Sequence, residues 1–192
     1  MTDTGRMPPI PDDRLTEAQR EAVEEIEAGP RGAVVGPFVA ALRSPELMRR
    51  LQKLGEYLRF GNALGPRLTE LAVLLVARQW TAQFEWVMHA PIAADRGISP
   101  EAIDAIARGG RPAALAGDEA IVFDFVTELA RSQAVSDDVY ARAVGAFGEA
   151  GVIDLVGTVG YYSMLAMILN VAETPLPPGY APVLEPLGDS RR

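Results

Sequence analysis

Apolar residues recur every three or four positions through most of the chain, and this pattern predicts helices. No segment shows the sustained apolar–polar alternation, bounded by turn residues, that predicts a strand. The pattern therefore predicts an all-α fold of about eight or nine helices. The predicted helices span residues 17–28, 38–42, 45–60, 66–79, 82–95, 100–107, 118–131, 137–150 and 152–171.

Glycine, proline and capping residues set the expected ends of these helices. Residues 16–19, Thr-Glu-Ala-Gln, have the pattern of a capping box, in which two side chains satisfy the free backbone donors of a helix N-terminus. Gly151 is expected to end one helix before the last one begins. Pro91 lies inside the segment 82–95 and removes a backbone donor, so we expect a bend just after His89.

The length suits one domain with a hydrophobic core, flanked by two arms. Residues 1–13 are rich in proline and aspartate and are interpreted as an N-terminal arm. Residues 14–172 form the predicted single all-α domain. Residues 173–192 contain too many prolines for a helix, and we interpret them as a C-terminal arm that packs on the domain or on a partner subunit.

The formal net charge is −8, which argues against nucleic-acid binding because that binding needs concentrated lysine and arginine. No apolar run of the roughly 20 residues that span a bilayer is free of polar side chains, so we expect no membrane contact. The first residues lack the apolar stretch of a signal peptide, and we expect a cytoplasmic protein.

The chain has no cysteine and a single histidine. The absence of cysteine excludes disulfides, thiolate metal sites, cysteine nucleophiles and any thiol peroxidase reaction of the chain's own residues. One histidine excludes a site with several histidine ligands on one chain. Metal sites built from thiolates or from several histidines are therefore not expected.

The segment 70–89 holds that histidine and is the strongest candidate for chemistry. Glu85 lies four residues before His89, so the two side chains share a helix face. Ala82 and Trp86 fall on the same face, where a small residue beside a large one leaves room for a pocket. A histidine packed in the core for structural reasons is the alternative that this spacing leaves open.

Glu70 stands in a helix that is otherwise apolar between residues 68 and 77. A buried carboxylate costs several kcal/mol unless it is paired, so Glu70 needs a partner. His89 and Arg78 are the candidates. A carboxylate that holds an imidazole suits general acid–base catalysis.

These residues resemble the carboxymuconolactone decarboxylase family, which shares its fold with the alkyl hydroperoxidase D-like (AhpD-like) proteins. The run 85–89, Glu-Trp-Val-Met-His, matches the pattern typical of the decarboxylase branch. So do the run 93–99, Ala-Ala-Asp-Arg-Gly-Ile-Ser, and the segment 71–77, which begins with leucine and ends with alanine. The resemblance is firm over about residues 40–110 and looser over residues 118–172.

The peroxidase branch of that fold uses a glutamate, a Cys-x-x-Cys pair and a histidine. By the resemblance, the glutamate and histidine positions are Glu70 and His89, whereas the two cysteine positions hold Ala82 and Glu85. The resemblance therefore implies the decarboxylase-like branch and an AhpD-like helical bundle.

The family reaction converts 4-carboxymuconolactone to an enol-lactone and CO2 without a cofactor. The resemblance thus implies a small carboxylate or lactone substrate, with His89 as proton donor and acceptor and with Glu85 and Glu70 orienting it. An anionic substrate also needs a cation, for which Arg78 is preferred to Arg43. The expected substrate-binding residues are Trp86, Trp80, Ala82, Arg78 and Phe84.

Three alternatives remain open. The same residues suit an isomerase or dehydratase that acts on a related small molecule. The chain also suits a helical oligomer that binds a small molecule without turning it over. Glu70, Glu85 and His89 together would suit a transition-metal site.

The last predicted helix is apolar enough to suggest self-association. Gly157 and Gly160 allow close approach of a neighbouring helix, and the apolar surface exceeds what a monomer of this length readily hides. The resemblance to the family implies a trimer or a hexamer, so we expect a homo-oligomer. Tyr161, Tyr162 and Asn170 either reach a neighbour's pocket or, as we favour, are buried with satisfied polar groups.

Overall fold

The computed structural model describes residues 5–187, and within that range it is all-helical, as the sequence pattern predicts. A short 3-10 turn, Asp12–Arg14, comes first. The eight α-helices of the described range are α1 (Glu17–Ala28), α2 (Pro37–Ala41), α3 (Pro45–Phe60), α4 (Gly65–Gln79), α5 (Gln83–Asp95), α6 (Pro100–Ala107), α7 (Gly117–Ser132) and α8 (Asp137–Ala172). Residues 1–4 and 188–192, the ends of the two predicted arms, lie outside the described residues.

Helix α4 is the centre of the bundle. Its side chains are apolar almost all round, and every residue from Leu68 to Arg78 is buried. A helix that is apolar on all sides must be surrounded by other elements. Helices α3, α5, α6, α7 and α8 pack around it. The carboxylate of Glu70, which lies on α4, is therefore inside the protein.

Local signals set most of the helix ends. The capping box of α1 is present, with the backbone N–H of Gln19 donating to Thr16 Oγ1 at 3.3 Å and that of Thr16 donating to Gln19 Oε1 at 2.9 Å. The hydroxyl of Ser99 caps α6 by accepting from Ala102. Pro91 does not interrupt α5, which runs unbroken from Gln83 to Asp95.

The break near the end of the chain is at Gly148 and not, as expected, at Gly151. Gly148 has φ 68° and ψ 172°, a conformation that only glycine adopts without strain, and the two segments of α8 join there. Gly151 is buried inside the second segment, where its α-carbon lies against the side chain of Phe147.

By length and composition, α8 is the one described helix that could cross a membrane. More than half of its most apolar stretch is buried inside the protein, as is usual for a core helix.

Both arms pack on the chain's own domain. The backbone N–H of Arg6 donates to the carbonyl of Ala172 at 2.7 Å, and Arg6 forms an ion pair with Glu173 at 2.6 Å. In the C-terminal arm, Leu184 is buried in the core, and its backbone is held on both sides by the side-chain amide of Gln83.

Gly55 on α3 gives a test of this packing. A methyl group there would lie 2.0 Å from the hydroxyl of Tyr161, which is buried, so one of the two helices must shift. We expect Gly55→Ala to lower the free energy of unfolding by about 1–3 kcal/mol, measured by chemical denaturation. Gly160→Ala is the matched control, since nothing lies within 4 Å of the added methyl group. That change should stabilise α8 by about 0.5–1 kcal/mol. Equal stability of the two variants would contradict the packing described here.

Candidate functional site

Glu70 on α4 and His89 on α5 form the polar centre of the structure. Nδ1 of His89 lies 2.7 Å from Oε2 of Glu70. Both side chains are largely withdrawn from solvent, with 6% of the Glu70 side chain and 12% of the His89 side chain exposed. A carboxylate oxygen accepts, so Nδ1 is the donor, and Nε2 is left without a hydrogen-bond partner within residues 5–187. One ring nitrogen is therefore held by Glu70, and the other is available to a ligand or solvent.

The turn between α4 and α5 sets these two helices antiparallel. Thr81 adopts a left-handed backbone with φ 48°, which is unfavourable for a β-branched residue. Arg78 donates to Thr81 Oγ1 at 2.9 Å, and the backbone N–H of Ala82 donates to the carbonyl of Ala77 at 2.8 Å. Asn170 on α8 donates to the carbonyl of Trp80 at 2.9 Å. These bonds hold the turn, and the turn holds Glu70 opposite His89.

Two tyrosines of α8 close the other side of the imidazole. The ring of Tyr162 meets the ring of His89 edge-on, with centroids 5.3 Å apart, and Tyr161 meets Tyr162 in the same way at 5.3 Å. Burial raises the pKa of Tyr161 to about 12 and the pKa of Tyr162 further still, so both hydroxyls stay protonated. The hydroxyl of Tyr161 lies near the guanidinium of Arg31, which opposes part of the rise in its pKa.

The expected pairing of Glu85 with His89 is wrong. Glu85 shares α5 with His89, but it forms no hydrogen bond or ion pair with it, because Nδ1 of the imidazole is bonded to Glu70. Both carboxyl oxygens of Glu85 are buried without a hydrogen-bond partner in the described range. Burial raises the pKa of Glu85 well above its usual value, which favours the protonated form of the side chain.

A cavity of about 200 Å³ opens beside Glu70. Asn62 shapes one wall by accepting from the backbone N–H groups of Leu64 and Gly65 at 3.0 and 3.2 Å, which fixes the loop between α3 and α4. The cavity is lined by Arg59, Phe60, Asn62, Gly65, Pro66, Glu70, Ile92 and Arg96.

The residues expected to bind substrate do not line this cavity. Ala82 and Trp86 are buried, and Trp80 is partly exposed at the end of α4. The ring of Phe84 lies against the backbone of Gly36. Because α4 and α5 are antiparallel, residues near their connecting turn lie about a helix length from Glu70. The expected pocket and the observed cavity are therefore at opposite ends of the helix pair.

Neither expected arginine lies at the cavity. Arg78 does not pair with Glu70; it donates to the carbonyls of Ala107 and Glu185 at 3.1 and 2.7 Å, as well as to the turn before α5. Arg43 donates to the carbonyls of Val39 and Pro8 and borders a separate apolar groove. Both guanidinium groups therefore hold the chain's own backbone.

Arg59 and Arg96 are the arginines at the cavity, and the sequence reasoning missed them. One signal was available, since Ile92 and Arg96 follow His89 by three and seven residues and so share its face of the helix. Arg59 carried no such signal, because it reaches the cavity from the last turn of α3.

The alternative of a metal site is not supported by the geometry. Within residues 5–187, no three aspartate, glutamate, histidine or cysteine side chains converge closely enough to hold an ion. Glu85 is the member that does not join Glu70 and His89.

Comparison with solved structures identifies the class. An uncharacterized peroxidase-related protein from Silicibacter sp. TM1040 superposes with a TM-score of 0.74 at 13% identity, covering 93% of this chain and 95% of that chain. An AhpD-core, uncharacterized peroxidase-related protein from Ralstonia eutropha JMP134 gives 0.73 at 14% identity, covering 91% and 93%. A protein of unknown function from Agrobacterium tumefaciens gives 0.63 at 17%, covering 71% and 94%. The fold is AhpD-like.

The sequence comparison gives the family. Residues 45–128 match the model of the carboxymuconolactone decarboxylase family, a segment that includes both Glu70 and His89. No curated protein matches the chain significantly. The segment 45–128 is therefore similar to the carboxymuconolactone decarboxylase family, and the chain as a whole has the AhpD-like fold.

Glu85 gives a pH-dependent test of the site. The unfolded chain loses the Glu85 proton near the usual pKa of about 4.5, whereas the folded chain keeps it to higher pH. Below about pH 4.5 Glu85 is protonated in both states and does not lower the free energy of unfolding. As the pH rises from there toward the folded pKa, the free energy of unfolding falls. Replacing it by glutamine removes this loss. We expect the stability advantage of Glu85→Gln over wild type to grow by up to about 1.4 kcal/mol per pH unit in that window.

The measurement is the free energy of unfolding between pH 5 and pH 8, with Glu56→Gln as control because Glu56 is exposed on α3. A Glu85→Gln advantage that stays constant with pH would disprove the assignment of a buried neutral acid.

Proposed function

We propose that this protein is a cofactor-independent acid–base enzyme that resembles 4-carboxymuconolactone decarboxylase and acts on a small carboxylate or lactone. The observation that carries the proposal is the 2.7 Å contact between His89 and Glu70, where Glu70 also lines a cavity of about 200 Å³. The match of residues 45–128 to the carboxymuconolactone decarboxylase family supports this reaction. The thiol peroxidase reaction of the peroxidase branch needs cysteines, and the chain has none.

The chemistry of decarboxylation matches what one held imidazole provides. The bond between the substrate carbon and its carboxylate breaks, CO2 leaves, and the electron pair moves into the conjugated lactone. A carbon of the substrate must then take up a proton. In our proposal His89 delivers that proton from Nε2 and recovers one from solvent, while Glu70 holds Nδ1 and stabilises the imidazolium.

The surroundings of the pair support this role. Tyr162 packs edge-on against the imidazole, so the ring has little freedom to turn. The side chain of His89 nevertheless keeps 12% of its surface exposed, which leaves a path for proton exchange. Glu85 is outside the proposed relay, because it does not touch His89.

Isomerisation or dehydration of a related small molecule is the second candidate, because the same proton transfer serves it. Release of CO2 from 4-carboxymuconolactone separates this candidate from decarboxylation. A protein that binds such a ligand without changing it would show saturable binding and no product.

Variants of the pair test the proposal directly. With 4-carboxymuconolactone, or the substrate found by screening small carboxylates and lactones, we expect His89→Asn and Glu70→Gln each to lower kcat/KM by about 10²–10⁴-fold. Glu85→Gln should lower kcat/KM by less than tenfold, and Glu56→Gln should leave it unchanged. Circular dichroism shows that each variant is folded. Wild-type activity in a folded His89→Asn variant would contradict the proposal.

We also propose that the chain assembles into a homo-oligomer. The exposed large apolar residues of α3 and α8 include a group around the contact between the two helices: Leu54, Tyr57, Phe60, Ile153 and Val156. We call them the α3–α8 patch. They lie together, because Tyr57 on α3 donates to Asp154 on α8 at 2.9 Å. A contiguous apolar patch supports a contact between copies.

Ile153, with 68% of its surface exposed, is the residue to change. We expect Ile153→Lys to lower the mass measured by light scattering at micromolar concentration, because a buried interface lysine is unfavourable. Tyr140→Lys, at an exposed site on the first segment of α8, is the control and should leave the mass unchanged. A monomeric wild type would refute the assembly.

A further inference from the structure

Two arginines without acidic partners line the cavity beside Glu70. Arg59 reaches it from the last turn of α3, and Arg96 from the end of α5. Within the described residues, neither guanidinium forms an ion pair or a hydrogen bond. The one contact of the Arg59 guanidinium that can be named is with the ring of Phe60, 5.6 Å away.

Several other arginines among residues 5–187 pair with carboxylates. Arg67, for example, pairs with Asp118 and Glu119 on α7. Two guanidinium groups at the same cavity are left free, and their hydrogen-bond donors are available to a ligand.

The charge balance of the cavity wall favours an anion. Glu70 is the single carboxylate on that wall, and His89 already holds one of its oxygens. Arg59 and Arg96 therefore leave the wall with an excess of positive charge. The charge of Arg59 also acts inside the site, since it opposes the rise in the pKa of Tyr162 that burial causes.

We propose that Arg59 and Arg96 are the substrate-binding residues for a carboxylate group, and that the cavity selects small anionic substrates over neutral ones. A guanidinium presents a planar pair of donors that matches a carboxylate, which a single ammonium does not. This inference rests on the proposed function, because it names the groups that would hold the substrate next to Glu70 and His89.

Binding of succinate, a small dicarboxylate, tests the inference without any turnover. His89 is the only histidine, so its carbon-bound ring protons give proton NMR signals that report on this site alone. We expect these signals to shift saturably when sodium succinate is added at constant ionic strength. Uncharged succinamide should cause no such shift, and inorganic phosphate should bind more weakly than succinate.

Charge-removing variants identify the arginines. We expect Arg59→Gln and Arg96→Gln each to weaken succinate binding by about tenfold or more, because each loses charge-assisted hydrogen bonds. Arg59→Lys and Arg96→Lys should recover part of the affinity. Arg108→Gln is the control, since Arg108 is exposed on the surface and pairs with Asp104. Circular dichroism checks that every variant is folded.

The outcomes separate this inference from the proposed function. Succinate binding that survives both glutamine variants, equal binding of succinamide, tighter binding of phosphate, or no saturable shift would each overturn the carboxylate site. In the His89→Asn variant, calorimetry replaces the NMR readout. If that variant keeps both full activity and arginine-dependent succinate binding, the acid–base proposal fails and the carboxylate site stands.

Discussion

The structure depends on how one buried carboxylate is compensated. Glu70 lies in the middle of a helix that is buried on every side, where an unpaired charge would cost several kcal/mol. His89 supplies the partner, and it does so from the next helix in the chain. That pairing requires α4 and α5 to be antiparallel and in one register, so the left-handed turn at Thr81 and the bonds that hold it serve the site although they are far from it.

The same constraint explains why an arginine beside the motif is not at the cavity. Arg78 lies in the last turn of α4, eight residues after Glu70, and its guanidinium satisfies the turn, the end of α6 and the C-terminal arm. Removing it would take this donor away from the carbonyls of Ala107 and Glu185. Positive charge reaches the cavity from the opposite end of the helix pair, through Arg59 and Arg96. In our proposal, structural and binding roles are divided between arginines at the two ends of the helix pair.

Periodicity predicted the helices because burial of an apolar face needs no tertiary information, and most boundaries follow from caps and prolines. The break at Gly148 was misplaced, because Gly148 and Gly151 are both glycines at the same part of the chain and the sequence does not show which one leaves the helix. The need of Glu70 for a partner was readable from its apolar helix. The absence of a contact between Glu85 and His89 could not be predicted. An i, i+4 spacing places two side chains on one helix face, but it does not show which neighbouring helix the imidazole contacts. The cavity could not be predicted, because it is formed jointly by residues of α3, α4 and α5.

Glu85 and Ala82 give the final constraint on chemistry. By the resemblance they stand where the peroxidase branch keeps its two sulfurs, and here both are withdrawn from solvent. Ala82 offers no functional group, while the oxygens of Glu85 form no hydrogen bond in the described range and burial raises its pKa. A carboxyl group enclosed in this way neither transfers electrons nor lines the cavity. The side chains at these two positions therefore cannot carry out thiol redox chemistry, and of the bonded pair Glu70–His89 it is Glu70 that lines the cavity.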